Sequence, residues 1–383
     1  MKGRLILDIY LVLAIIVVVA WLVIGLIMIF GLKKTTILKS SDRGRYKNNE
    51  YPLVSVIIPA CNEEKAVEQC LESIVNQDYK NFEIIAINDR STDTTGFIME
   101  RCKEKYPRIK TIHIKELPEG WLGKNHALYT GVMEAQGEWL LFTDADVIHS
   151  QGSLEVGLSY ARRNKLDHLS IVPNTISSGL FEKVFISYFA FVGLILVTIQ
   201  KYGGIGAYNL IKKSTYLDIG THKAIALCPA DDMKLGKLIV MNKYKQQVVW
   251  GRELLQVKWQ DNFVGTIKGL EKNSFPSFNY SLWNVILMIL PSLLIQIYPF
   301  IGIMVGGLFS RILCGLVILI IFVLYCSYKK YSGVLLWYII FHPLISLIML
   351  YALLNSTYKT LSKGGIEWRG TKYPLDLLKT HRF

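Results

Sequence analysis

The 383-residue chain is short of charge: Asp, Glu, Lys and Arg make up 19% of it, while apolar residues make up 51%. That balance is too apolar for a soluble globule of this length, so part of the chain belongs in lipid. Acidic residues are the scarcer sign, 30 against 43 Lys and Arg, for a net charge of +13. The basic excess lies beside apolar runs rather than in a patch interleaved with aromatics, which argues against nucleic acid and for anionic lipid as a partner. Cysteine is sparse. The six cysteines, at positions 61, 70, 102, 228, 314 and 326, contain no Cys-x-x-Cys pair, which leaves neither a structural zinc nor a disulfide frame indicated; they read as reduced and buried.

Long apolar runs are what the chain does have. Ile9 to Leu32 is nearly unbroken and long enough to span a bilayer. Lys2 and Arg4 precede it and no small-residue cleavage site follows, so residues 5–32 read as an uncleaved anchor. Further runs occupy 282–354: Leu282 to Gly307, interrupted by Pro291 and Pro299, then Ile312 to Tyr328, then Val334 to Leu354 with His342-Pro343 inside it. They predict three spans, or two and a re-entrant segment, with His342 packed at a kink. Lys33, Lys34, Lys39, Arg43, Arg45 and Lys47 crowd the exit of the first run, which puts that side in the cytoplasm by the positive-inside rule. Three further crossings would put the tail, 355–383, outside. The tail's own Lys359, Lys363, Arg369, Lys372, Lys379 and Arg382 point inside, and the sequence leaves that conflict open. Phe181 to Gln200 is apolar almost all round; it reads as a helix lying in the membrane interface, or as a core helix of the domain around it.

Between the runs the pattern is α/β. Leu53 to Pro59 and Phe82 to Ile87 are short β-branched strands separated by a helical segment from Glu63 to Gln77, a βαβ unit. Ser91 reads as a helix cap and Asp93 as a helix N-terminal charge. Glu138 to Thr143 is a third strand, and Asp144-Ala145-Asp146 leaves its carboxyl end, where open α/β sheets collect ligands. Two hard oxygen ligands there suit Mg²⁺ or Mn²⁺ completed by phosphates; a solvated turn is the plainer alternative. Asp89 reaches the same sheet edge from the second strand.

The succession Ile57-Ile-Pro-Ala-Cys-Asn-Glu-Glu64, Asn88-Asp-Arg-Ser-Thr-Asp93, Gly123-Lys-Asn-His-Ala127 and Asp144-Ala-Asp146 resembles the family-2 inverting glycosyltransferases with the GT-A fold. The resemblance covers residues 50–280. It extends to Gly204-Ile-Gly-Ala-Tyr-Asn-Leu-Ile211 and Asp231-Asp-Met-Lys-Leu-Gly236, and the ending Gly365-Ile-Glu-Trp-Arg-Gly-Thr-Lys-Tyr373 is similar to that of a membrane-bound subgroup of carotenoid (4,4'-diaponeurosporenoate) and hopanoid-associated glycosyltransferases.

What the resemblance implies is a Rossmann-like mixed sheet with one N-terminal and two or three C-terminal transmembrane helices, in a cell-membrane enzyme whose catalytic domain is cytoplasmic. It implies a nucleotide-sugar site from Pro59, Asn62, Glu63, Asp89, Lys124 and Asp144, with Asp89 on the base and Lys124 offsetting phosphate charge from a mobile loop. Asp146 becomes the ligand of a Mg or Mn divalent cation. Asp232 becomes the general base, by register, although Asp231 stands where the family has Glu and the choice between the two stays open. Lys258-Trp259 occupies the place of an Arg-Trp block that stacks on the acceptor; Arg and Lys are not interchangeable there, and a plain interfacial Trp259 is the alternative. The implied partners are a nucleotide-sugar donor and a lipid acceptor. A processive polysaccharide synthase and a non-catalytic membrane protein with a degenerate transferase domain are the competing expectations.

Overall fold

A computed structural model describes residues 2–43, 52–177, 179–258 and 262–380. The chain runs α1 (Lys2–Lys34), β1 (Val54–Ala60), α2 (Val67–Val75), β2 (Phe82–Asp89), α3 (Thr95–Lys105), β3 (Ile109–Ile114), α4 (Gly123–Glu134), β4 (Trp139–Phe142), β5 (Val147–His149) and α5 (Ser153–Arg163). It continues β6 (His168–Val172), β7 (Asn174–Ile176), α6 (Leu180–Gln200), β8 (Asn209–Lys212), α7 (Lys213–Asp218), α8 (Asp231–Met241), β9 (Gln246–Trp250) and β10 (Leu255–Lys258). It ends α9 (Phe263–Ser277), α10 (Leu282–Ser292), α11 (Tyr298–Val305), α12 (Leu308–Ser332), α13 (His342–Ser362), β11 (Gly365–Trp368), β12 (Thr371–Pro374) and α14 (Leu375–Thr380). Two compact units result. One holds Thr36–Ile176, Lys201–Trp259 and Glu367–Phe383; the other holds Met1–Thr35, Ser177–Gln200 and Gln260–Ile366.

The first unit is built on a seven-stranded sheet in the order β3-β2-β1-β4-β8-β6-β9. β1 pairs in parallel with both β2 and β4, whereas β8 runs antiparallel to β4 and β6, giving the mixed sheet expected. The strands are apolar at successive positions because both faces are covered. Val54, Val56, Ile58, Ile84 and Leu141 face one core, and Ile57, Ile85, Ile87, Leu140 and Phe142 face the other. The chain leaves β1 for β2 and β3 and then returns to β4 on β1's other side, so the carboxyl ends of β1 and β4 flank a topological switch point, the crevice where such sheets bind ligands.

Helix α2 is shorter than the 63–77 the sequence predicts, because Glu63 and Glu64 are taken up by the neighbouring loop: the Glu63 N–H donates to Thr95 Oγ1 at 2.8 Å and Glu64 Oε2 accepts from Thr94 Oγ1 at 2.7 Å. Ser91 does not cap α3. Its hydroxyl accepts from the Asn62 N–H, and Asp93 Oδ1 takes the Thr95 N–H instead. A three-stranded sheet, β5-β10-β7, adjoins the Asp144–Asp146 turn.

The second unit is helical. Among the described residues five helices are long and apolar enough to cross a membrane: Leu7–Lys34, Leu180–Gln200, Leu282–Val305, Leu308–Ser332 and Leu336–Ser362. Pro291 and Pro299 mark a break in the third, which passes through a π-helical turn at Leu293–Ile297. The expectation that α6 could be a core helix of the sheet domain is overturned, since α6 belongs to the helical unit, where Tyr188 Oη accepts from Ser346 Oγ at 2.9 Å and Phe191 stacks on Tyr325. His342 starts α13 directly after a 3-10 turn. Its Nε2 is 2.9 Å from Gln296 Oε1, and Trp21, Tyr188 and Phe300 surround its ring, so it is the packed histidine expected.

Candidate active site

Asp144 and Asp146 sit in the turn between β4 and β5, past the buried end of the strand. Thr143 anchors that turn, its hydroxyl donating to the Ala207 carbonyl at 2.8 Å. Lys124 stands across from it. The sequence places this lysine on a mobile loop, but it lies in the first turn of α4. The reason is Asn125, wholly buried, whose amide donates to the carbonyls of Ile225, Ala226 and Cys228 at 2.8, 3.0 and 3.0 Å and so pins the helix start to the segment leading into α8.

Lys124 Nζ is 2.8 Å from Asp144 Oδ1 and 3.4 Å from Asp231 Oδ1. Burial works against its charge, yet Asp144, Asp231 and Asp232 outweigh that and hold the ammonium above lysine's ordinary range. Asp232 Oδ2 accepts the Gly206 N–H at 2.9 Å and Oδ1 accepts the Met233 N–H at 2.7 Å. Burial, with the negative Asp231 beside it, pushes its carboxyl up to about 6. Asp231 is also raised, by burial first, with Lys124 opposing. The Gly204-Ile-Gly206 segment is what lets these groups meet: a Cβ at Gly206 would overlap the Asp144 carboxylate, and one at Gly204 would overlap the Asp232 backbone.

Asp89 ends β2 with 3% of its surface exposed, both oxygens held by Arg90 through Nε at 2.8 Å and Nη2 at 3.2 Å. Gly123, at the start of α4, packs against that carboxylate. After β1, Pro59 is still in the strand, while Asn62 takes a left-handed φ of 57° and its Oδ1 accepts the Thr92 N–H at 2.8 Å. Glu63 follows. The ladder of β10 against β5 ends with Val257 beside Val147, which brings Lys258 to the Asp146 end of that strand pair. Trp259 lies outside the described residues, as do Arg45, Lys47 and Arg382.

The donor set fits a hard cation. Asp146 is pushed up to about 6 by burial and by the facing carboxylates of Asp144 and Glu63, a repulsion that a cation would relieve. Among the described residues no three His, Cys, Asp or Glu side chains converge to cage an ion alone. Sequence reasoning missed the contributions of the tail: Arg369 reaches Glu63, Thr371 reaches the Arg90 that grips Asp89, and Tyr373 lies beside Gly123, which precedes Lys124.

A switch-point sheet with Asp89, Asp144 and Asp146 at its carboxyl edge is the frame of the GT-A glycosyltransferases. Residues 55–225 match the family model described as Glycosyl transferase family 2, so the chain carries a family-2 glycosyltransferase domain. It is 23% identical over 350 residues to the 4,4'-diaponeurosporenoate glycosyltransferase of Staphylococcus aureus (strain MRSA252), covering 86% of this chain and 90% of that one. It is 40% identical over 110 residues to the probable glycosyltransferase YdaM of Bacillus subtilis (strain 168), a match covering 28% of this chain and only 26% of that relative's length. In fold it is similar to the mannosyltransferase PcManGT of Pyrobaculum calidifontis, solved in complex with GDP-Man and Mn²⁺: TM-score 0.56 at 18% identity, over 89% of this chain and 99% of that one.

Proposed function

We propose that the protein is an inverting hexosyltransferase that moves a sugar from a nucleoside-diphosphate donor, with UDP-hexose the default, to a hydroxyl or carboxyl of a membrane lipid. The observation that carries this reading is the position of Lys124 between Asp144 and Asp231, with Asp232 next in the chain. With a hydroxyl acceptor Asp232 takes its proton as the oxygen bonds to the anomeric carbon, and with an ionised carboxyl the oxygen attacks directly; in both the bond from that carbon to the diphosphate breaks with its electron pair leaving on phosphate. Lys124 holds the diphosphate charge. Asp89 reads the base, and Pro59, Asn62 and Glu63 line the nucleoside end. A bound Mg²⁺ or Mn²⁺, held by Asp146, supplies charge stabilisation to the leaving diphosphate.

The lipid acceptor is supported by the five apolar helices and by the name of the S. aureus relative, which makes a carotenoid or other isoprenoid acid the acceptor class and carotenoid biosynthesis the setting. Placement in the cell membrane as a multi-pass protein, with the sheet unit in the cytoplasm, follows from the lysines after α1 and from where nucleotide sugars are made. Lys258 and Trp259 are assigned to the acceptor. The deciding experiment compares lipid extracts, by mass, from cells with and without the protein. A hexose-shifted lipid supports the reading, whereas a change confined to water-soluble polymer transfers it to the polysaccharide-synthase alternative.

A further inference from the structure

The turn after β1 (Cys61 to Glu63), the end of β2 (Asp89-Arg90) and the first turn of α4 (Gly123-Lys124) are far apart in sequence. One short stretch of the tail, Arg369 to Tyr373, touches all three. Arg369 donates to the Cys61 carbonyl and its Nη2 lies 2.8 Å from Glu63 Oε1, so the guanidinium bridges the neighbours of the left-handed Asn62. Arg90, while gripping Asp89, donates from Nη1 to Thr371 Oγ1 at 3.3 Å. Tyr373 is 5% exposed, with its phenol beside the Gly123 backbone and the Thr371 side chain, both of which favour its ionised form against burial.

The backbone adds an independent observation. Arg369 and Gly370 are the two residues between β11 and β12 and have φ of 50° and 78°. A two-residue loop with both φ positive is the type I′ hairpin, which favours Asn-Gly or Asp-Gly. Arginine is therefore the wrong residue for the turn, and a residue held in a left-handed conformation against its preference points to a role for the side chain.

We propose that this tail stretch is a wall of the nucleotide-sugar site, and that Arg369 is a positioning residue for the donor. By clamping Cys61 and Glu63 about Asn62 it fixes the nucleoside end of the site, and Thr371 and Tyr373 fix the spacing of Asp89 and Lys124 in the same way. The assignment rests on the donor reading above.

Arg369→Asn separates the two roles an arginine can have here, because Asn suits the turn while removing the guanidinium. The full-length protein in detergent would be titrated with UDP and with GDP, each with Mn²⁺, and its melting temperature and the donor KM and kcat measured. The expected result is a melting temperature equal to or above wild type, with nucleotide affinity weaker by about tenfold, the loss of one charge-assisted hydrogen-bonded bridge, and a donor KM raised more than kcat is lowered. Tyr373→Phe, which removes one oxygen, should weaken the same affinity and decides the matter if Arg369→Asn fails to fold. Wild-type affinity in the folded variants overturns the proposal while leaving the donor reading intact; a wild-type protein that binds neither nucleotide overturns both.

Discussion

Lys124 is placed among Asp144, Asp231 and Asp232, and both of the paired aspartates on α8 are raised by burial. If Asp232 is the base, Asp232→Asn should lower kcat by about a hundred- to ten-thousandfold while nucleotide binding survives, a split that equilibrium titration beside steady-state kinetics reads directly. Near-normal turnover in that variant with loss in Asp231→Asn would move the role one residue back. The pH profile tests the same assignment from another direction. A base works only when ionised, and Asp232 is held up to about 6 by burial and by Asp231, so the rate should fall as pH drops below about 6. Asp231→Asn removes the negative neighbour, which lets Asp232 ionise at lower pH and should carry the acid limb downward. Asp146→Ala, or excess chelator on the wild type, should silence transfer; full turnover in chelator would exclude Asp146 as a metal ligand. The aspartates were legible in the sequence because each leaves a recognisable strand or opens a helix. Arg369 was not, since its partners Cys61 and Glu63 lie at the other end of the domain and no spacing rule connects them.

At the level of elements, the strands could be read from their β-branched runs because two covered faces leave little choice of residue. Helix starts were harder, for the cap depends on which loop competes for it: Ser91 serves Asn62, and Asp93 serves α3. The placement of Lys124 turned on Asn125, whose three carbonyl partners come from the segment before α8. Asn125→Ala should cost roughly 1–3 kcal/mol, the penalty for leaving buried polar groups unsatisfied, and should lower kcat by letting Lys124 shift from Asp231. A urea midpoint and turnover measured on one preparation check both. Stability loss with unaltered kcat would show that α4 holds its lysine without that anchor.

For the molecule as a whole, the tail from Glu367 and the two long stretches around the sheet form one compact unit, while Gln260–Ile366 runs through the other. With the sheet unit on one side of the bilayer, as proposed above, the stretch Gln260–Ile366 crosses an even number of times, so of its three apolar segments two should cross and one turn back. The segment Leu282–Val305, broken at Leu293–Ile297, is the one expected to turn. On that topology the tail's basic residues would share a side with Lys33 and Lys34, as the positive-inside rule asks. Cysteines placed at Ser40 and at Asp376, in a Cys326→Ser background because Cys326 is the exposed native thiol among the described residues, should both resist an impermeant thiol reagent in intact cells and react after lysis. Opposite behaviour of the two would break the parity, and labelling of both in intact cells would overturn the cytoplasmic donor.

The contacts of Arg369 with Cys61 and Glu63 also set a clock on synthesis. Ribosomes make chains from the amino end, so the β1 turn and the apolar helices are made long before the residues that close over that turn exist. Arg369 is made 308 residues after Cys61, so while that stretch is being translated the sheet and its aspartates stand without the contacts that join them.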